Sequence, residues 1–221
     1  MNDWVYKYSR FVQVAALRLF AKYEVAGQEN VPADGALIIV SNHQGNIDPP
    51  MLVSSIPRRV YFLAKSGIFR GAFAKWFLAR YGAFPVNREG TDVPAYRWVL
   101  EQLKNDRAVV LFPEGTRSPN GMREAKQGVA QIALRAGISI LPVGITGTER
   151  MGSWARVFFP TGAIRVSIGK AFRLPEIQGR PAREDLDSMT NLIMGKIAEL
   201  LPEHYQGAYA KKPVSTAQNR H

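Results

Sequence analysis

The chain has 221 residues, with 29 Lys and Arg against 18 Asp and Glu, three His and no Cys. A hydrophobic fraction of 46% supports a real core and excludes global disorder, and the length suits one α/β domain with an appendage better than two full domains. Without Cys there can be no disulfide, thiolate metal site or cysteine nucleophile, and the net charge of +11 calls for an anionic partner: nucleic acid, an anionic membrane, a phosphorylated substrate or an acidic carrier protein.

The N-terminal segment is apolar but interrupted by Lys7, Arg10, Arg18 and Lys22, so it does not read as a signal peptide. No stretch reaches the roughly 20 apolar residues of a spanning helix. Helical spacing instead places Val5, Tyr8, Val12, Ala15, Ala16, Leu19 and Tyr23 on one face, with Trp4 at the start. Two readings fit: a helix lying in a membrane interface, or one packed on the domain. A second segment, 69–81, again mixes large aromatics with cations, and the pair favours a membrane surface over nucleic acid.

Short apolar runs at 36–40, 60–64, 83–86, 108–112 and 138–145 read as buried strands, with weaker strands at 156–159 and 164–168. Helices are predicted after Asp48-Pro49-Pro50, from Phe69, from Thr91 to Lys104, over 127–136 with Gly137 as its cap, and over 185–201. Alternating strands and helices imply an α/β fold: a largely parallel sheet flanked by helices, preceded by an N-terminal amphipathic membrane-interface helix. The organisation expected is an interfacial helix at 1–28, a catalytic domain at 29–204 and a mobile tail at 205–221.

Of the three histidines, only His43 lies just beyond a buried strand, where α/β sheets present their sites. Asp48 follows five residues later, with Gly45 between them to let the loop fold back. A carboxylate on one ring nitrogen fixes the tautomer and frees the other as a base. Asp48 can equally cap the next helix, and on spacing alone a loop histidine beside a capping aspartate explains the pair as well. A second loop, Phe112-Pro113-Glu114-Gly115-Thr116-Arg117-Ser118, also follows a strand. Gly115 allows a tight turn, Thr116 adds a hydroxyl, Arg117 offers a planar fork to a phosphate, and Glu114 is free to orient Arg117 or bind a hydroxyl. Lys65 and Arg88 end two further strands on the same sheet edge, implying an anionic group near His43. Carboxylates do not cluster, so neither a metal nor a resident cofactor is expected.

Asn42-His43-Gln44-Gly45-Asn46-Ile47-Asp48 resembles the His-four residues-Asp motif of the glycerolipid acyltransferases, and residues 112–118 resemble their Phe-Pro-Glu-Gly-Thr-Arg-Ser block. Phe84 to Arg88 stands where that family has a short block ending in arginine, and Leu141-Pro142-Val143 matches its downstream proline block. The resemblance spans residues 30–170 and is nearest to the lysophosphatidic acid acyltransferases. It implies that His43, oriented by Asp48, deprotonates the acceptor hydroxyl, which attacks an acyl-CoA or acyl-carrier-protein thioester directly. It assigns the acceptor phosphate to Arg88 and Arg117, with Glu114 helping to bind or orient the acceptor; Lys65 is added from its position alone. Ser41 fits a backbone role better than a nucleophile. One departure is Asn87, where many relatives carry Asp beside the arginine.

The leading expectation is acylation of the sn-2 hydroxyl of lysophosphatidic acid by a peripheral protein on the cytoplasmic face of an anionic membrane. The alternatives are the same chemistry on glycerol-3-phosphate, another lysophospholipid or a hydroxylated lipid, or a non-catalytic lipid-binding protein. Nucleic-acid binding ranks last, because the basic residues are scattered and no recognition motif occurs.

Overall fold

The computed structural model of the protein describes residues 4–87 and 92–210. Helix α1 (Trp4–Phe20) leads into β1 (Ala21–Ala26), followed by β2 (Leu37–Ser41), α2 (Asp48–Ser55), β3 (Val60–Lys65), α3 (Gly71–Tyr81) and β4 (Ala83–Val86). Then come α4 (Val93–Lys104), β5 (Ala108–Leu111), α5 (Gly128–Ala136), β6 (Ile140–Thr146), α6 (Ala155–Phe158), β7 (Gly162–Ile168), α7 (Arg183–Ala198) and the short α8 (Glu203–Gln206). The seven strands form one sheet in the order β1-β7-β6-β2-β5-β3-β4. Every pairing is parallel except β6 with β7. The architecture is the largely parallel, helix-flanked sheet that the alternating pattern predicts.

Strand β2 shows why its sequence is uniformly apolar. Successive side chains point to opposite faces of a sheet, and both faces here are covered. Leu37 and Ile39 join a core containing Tyr6 and Leu17 of α1, Met51 and Leu52 of α2, and Tyr81 of α3. Ile38 and Val40 join a second core with Val99 of α4, Val129 of α5 and Ile193 of α7. The strand is fully buried along its length.

Four expectations need correction. The N-terminal helix stops at Phe20 and residues 21–26 form an edge strand, because alternating burial in Ala-Lys-Tyr-Glu-Val-Ala matches a sheet pleat. The residues α1 buries are Val5, Tyr6, Gln13, Ala16 and Leu17, whereas Tyr8, Val12 and Leu19 of the expected apolar face are exposed. Helix α1 therefore packs on the domain and still offers a second apolar face outward. Residues around 156–159 form the short helix α6, not a strand. The expected tail begins too early. Met122 N–H donates to the Tyr205 carbonyl, Ala208 N–H to the Met122 carbonyl, and Ala125 N–H to the Tyr209 hydroxyl, so residues 205–210 are docked. Residues 211–221 lie outside the described residues.

Candidate functional site

β2 lies at the centre of the sheet between β6 and β5, so the loop leaving its C-terminal end begins at the middle of the sheet edge. Asn42, the first residue beyond β2, acts as a substitute for a peptide unit. Its side-chain amide donates to the Ile145 carbonyl and its oxygen accepts from Ile145 N–H, both at 2.8 Å, tying the loop to β6. Gly45 then passes so close to the 148–151 loop that a Cβ there would lie 2.6 Å from the Thr148 carbonyl oxygen.

These constraints bring His43 back onto Asp48. His43 Nδ1 is 2.8 Å from Asp48 Oδ2, which also accepts from the backbone N–H of Gln44 at 2.6 Å and of Gly45 at 2.9 Å. Asp48 begins α2, but the bonds to its Oδ2 all come from residues 43–45 and its Oδ1 has no partner among the described residues, so capping is not its role. Instead it shapes the loop and fixes the imidazole. Among the described residues nothing bonds the other ring nitrogen, Nε2. Phe112 stacks on the ring, with centroids 4.2 Å apart and planes 25° from parallel, holding it from one side.

The loop after β5 buttresses this pair. Glu114 is buried and its carboxylate accepts from His43 N–H at 3.0 Å and Arg123 N–H at 2.9 Å, while Ser118 N–H donates to the His43 carbonyl. The sequence suggested a partner for Arg117 or a substrate ligand; the structure makes Glu114 a brace for the His43 backbone. Burial pushes its carboxyl above the usual range, and the neighbouring Ser118 hydroxyl, the two backbone donors and the His43 ring pull in the opposite direction. Gly115, in the left-handed region at φ +68°, closes the turn by donating to the Phe112 carbonyl.

Two cavities of about 430 Å³ each meet at His43 and Phe112. The first lies on the α2–α3 side and takes Lys65, Arg70, Arg117, Leu78 and Trp154 into its wall, with no carboxylate residue among those lining it. The second lies between the sheet and helices α4 and α5. Its wall is mainly apolar, including Leu63, Ala95, Val99, Val110 and Val129, with Gly115 and Lys126 near the loop.

Lys65 and Arg117 thus line one cavity with His43. Thr116 is half-buried within the same loop. Arg88 lies outside the described residues. The sequence reading missed Phe112 as the ring stacked on the His43 imidazole, Asn42 as the strap to β6, and Arg70 as a third cation in the cavity wall. Asn42 and Phe112 both stand inside the quoted blocks, and their placement immediately after buried strands was the available signal.

The acyltransferase family model matches residues 22–146, a stretch holding His43, Asp48, Lys65, Glu114, Thr116 and Arg117. The chain belongs to the acyltransferase family. This acyltransferase is 28% identical over 197 residues to the 1-acyl-sn-glycerol-3-phosphate acyltransferase of Bacillus subtilis, covering 89% of this chain and 96% of that one. Its match to the chloroplastic 1-acyl-sn-glycerol-3-phosphate acyltransferase of Arabidopsis thaliana is 32% identical over 185 residues, covering 81% of this chain but 49% of that one. Its fold is also similar to the crystal structure of the 1-acyl-sn-glycerophosphate (LPA) acyltransferase from Thermotoga maritima. That match has a TM-score of 0.67 and 28% identity, over 86% of this chain and 76% of the other.

Gly45→Ala tests the loop geometry. The atoms that its Cβ would meet, in the Thr148 and Met151 carbonyl groups, all belong to backbone and cannot step aside. The variant is expected to melt at a lower temperature and to lose transferase activity by more than its folded fraction explains. Melting curves and specific activity of the same preparation check this.

Proposed function

We propose that this acyltransferase transfers a fatty acyl group from a thioester donor, acyl-CoA or acyl carrier protein, to the sn-2 hydroxyl of lysophosphatidic acid, giving phosphatidic acid. The observation that carries the reading is the position of His43 at the junction of a cationic cavity and an apolar one. The cationic cavity suits the acceptor, whose phosphate Lys65, Arg70 and Arg117 would hold; by resemblance Arg88 joins them. The apolar cavity suits the acyl chain of the donor.

In this mechanism His43 Nε2 takes the proton of the acceptor hydroxyl as its oxygen attacks the thioester carbonyl carbon. The carbon–sulfur bond breaks, and the leaving thiolate receives the proton back from the imidazolium. Asp48 keeps the ring in the productive tautomer and balances the positive charge that the ring acquires. No acyl-enzyme forms, and no nucleophilic side chain is needed. Glu114 acts through the His43 backbone as a positioning residue.

The protein is proposed to work as a peripheral protein on the cytoplasmic face of an anionic membrane. The exposed aromatic and apolar residues of α1 and α3 and the net charge of +11 support this reading, and no helix among the described residues is long and apolar enough to cross a membrane. The same positive field draws in the phosphorylated acceptor and an acidic or phosphorylated donor.

The deciding experiment is thioester consumption by purified protein in mixed micelles, with lysophosphatidic acid as acceptor, each donor in turn, and products identified by mass. Phosphatidic acid formed by wild type and reduced about 10²–10⁴-fold or more in His43→Ala supports the reaction and the base together. Product from another lysolipid but none from lysophosphatidic acid would keep the chemistry and reject the acceptor. No product with any acceptor, from protein that still binds lipid, would point to the non-catalytic alternative.

Arg117→Ala should chiefly raise the acceptor KM, because a phosphate contact is made in the ground and transition states alike. Equal losses with phosphorylated and unphosphorylated acceptors would contradict a phosphate role. Val129→Phe, which fills part of the apolar cavity, should shift donor preference towards shorter acyl chains, read from rates across a chain-length series.

A further inference from the structure

The exposed aromatic residues of this protein gather at two places joined by one helix. Helix α1 has 17 residues, a length of about 25 Å. At its start Trp4 meets Trp76 of α3, with ring centroids 6.3 Å apart, and Phe73 stacks on Trp76 at 5.9 Å. At its end Phe20 meets Phe159, just beyond α6, edge-on at 5.4 Å. Between these clusters α1 exposes Tyr8, Phe11, Val12 and Leu19. Around α6, Trp154, Phe158 and Phe159 are 54%, 62% and 59% exposed, although large aromatics are ordinarily buried.

Charge sorts with these clusters. Residues 4–20, 66–81 and 150–160 together hold eight Lys or Arg and no Asp or Glu, in a chain with 18 acidic residues. Exposed aromatic rings interspersed with cations, and cleared of carboxylates, complement an anionic bilayer surface: rings settle at headgroup depth and cations meet lipid phosphates. The two clusters also share the wall of the cationic cavity, to which Arg70 and Leu78 contribute from the α3 side and Trp154 from the α6 side.

We propose that the α6 turn, residues 150–159, is a second membrane foot which, with the α1–α3 patch, brackets the mouth of the cationic cavity on an anionic lipid surface. The acceptor then reaches His43 from the bilayer without crossing water. The proposal rests on the membrane reading given under the proposed function and names a surface that its N-terminal segments do not include.

The test uses the full chain, sedimented with vesicles of phosphatidylcholine mixed with phosphatidylglycerol. Phe158→Ser/Phe159→Ser should weaken vesicle binding by roughly tenfold or more, since two apolar rings are lost from the interface. Turnover of a lipid acceptor presented in those vesicles should fall with it, while turnover of a short-chain, water-soluble lysophosphatidate stays within about twofold. Phe158→Ser alone, which disturbs no ring contact, repeats the measurement if the double variant melts early. Phe11→Ser/Phe73→Ser serves as the control for the other foot. Unchanged vesicle binding by both α6 variants, with binding lost in the control, overturns the second foot and leaves the membrane reading standing. Failure of wild type to sediment with the vesicles overturns both. Equal losses on the soluble acceptor overturn the proposal too, because the α6 residues would then be serving the site itself.

Discussion

A single carboxylate oxygen organises the end of the central strand. Oδ2 of Asp48 receives the imidazole of His43 and two backbone N–H groups of the intervening loop, all within 2.9 Å. Short polar loops leave backbone donors that must find partners when buried, and here one anion satisfies two of them while fixing the imidazole. The neighbouring strand supplies a second buried carboxylate, Glu114, which receives the His43 N–H itself. The histidine is therefore held at its backbone, its Nδ1 and its ring face, while Nε2 makes no bond among the described residues. Preorganisation of this kind means that little structure has to move when a substrate arrives.

Because the His43 imidazole sits above the middle of a two-faced sheet, cavities on both sides of the sheet reach it. Cations ring the cavity on the face that carries α1, α2 and α3, and apolar side chains fill the wall on the face of α4 and α5. An acceptor with a charged head and a donor with a long hydrocarbon tail pose opposite solvation problems. Under the proposed reaction, a sheet separating the two environments would let both substrates meet at its edge without burying an unpaired charge beside a lipid chain.

Much of this was legible in the sequence. The apolar runs marked six of the seven strands, and the residues just beyond the central ones marked the site, because a parallel sheet brings those ends to one edge. Three things were not legible. Strand β1 does alternate, but it is six residues long and runs straight on from α1, so Tyr23 also fits the helical spacing and the pairing with β7 is what reveals the strand. The role of Glu114 depended on where the chain turned back: an acidic residue in a Gly-Thr-Arg loop reads as a ligand until its oxygens are seen to be occupied by backbone donors. The Trp-Ala-Arg-Val-Phe-Phe stretch carries β-favouring residues in a run too short for periodicity, so its exposure could come only from three dimensions.

The pairing of β1 with β7 also orders events during synthesis. Ala21 lies beside Gly162 and Ala26 beside Ser167, so β1 emerges long before its one strand partner among the described residues exists. The α1 helix, with an apolar stripe on each of two sides, leaves the ribosome together with that unpaired strand. Its inner stripe waits for α2 and α3, and the strand waits until nearly the whole domain has been made. For most of translation the N-terminus is thus a short, sticky, basic segment on an unfinished domain, and it becomes a fixed part of the sheet only when β7 arrives to close it.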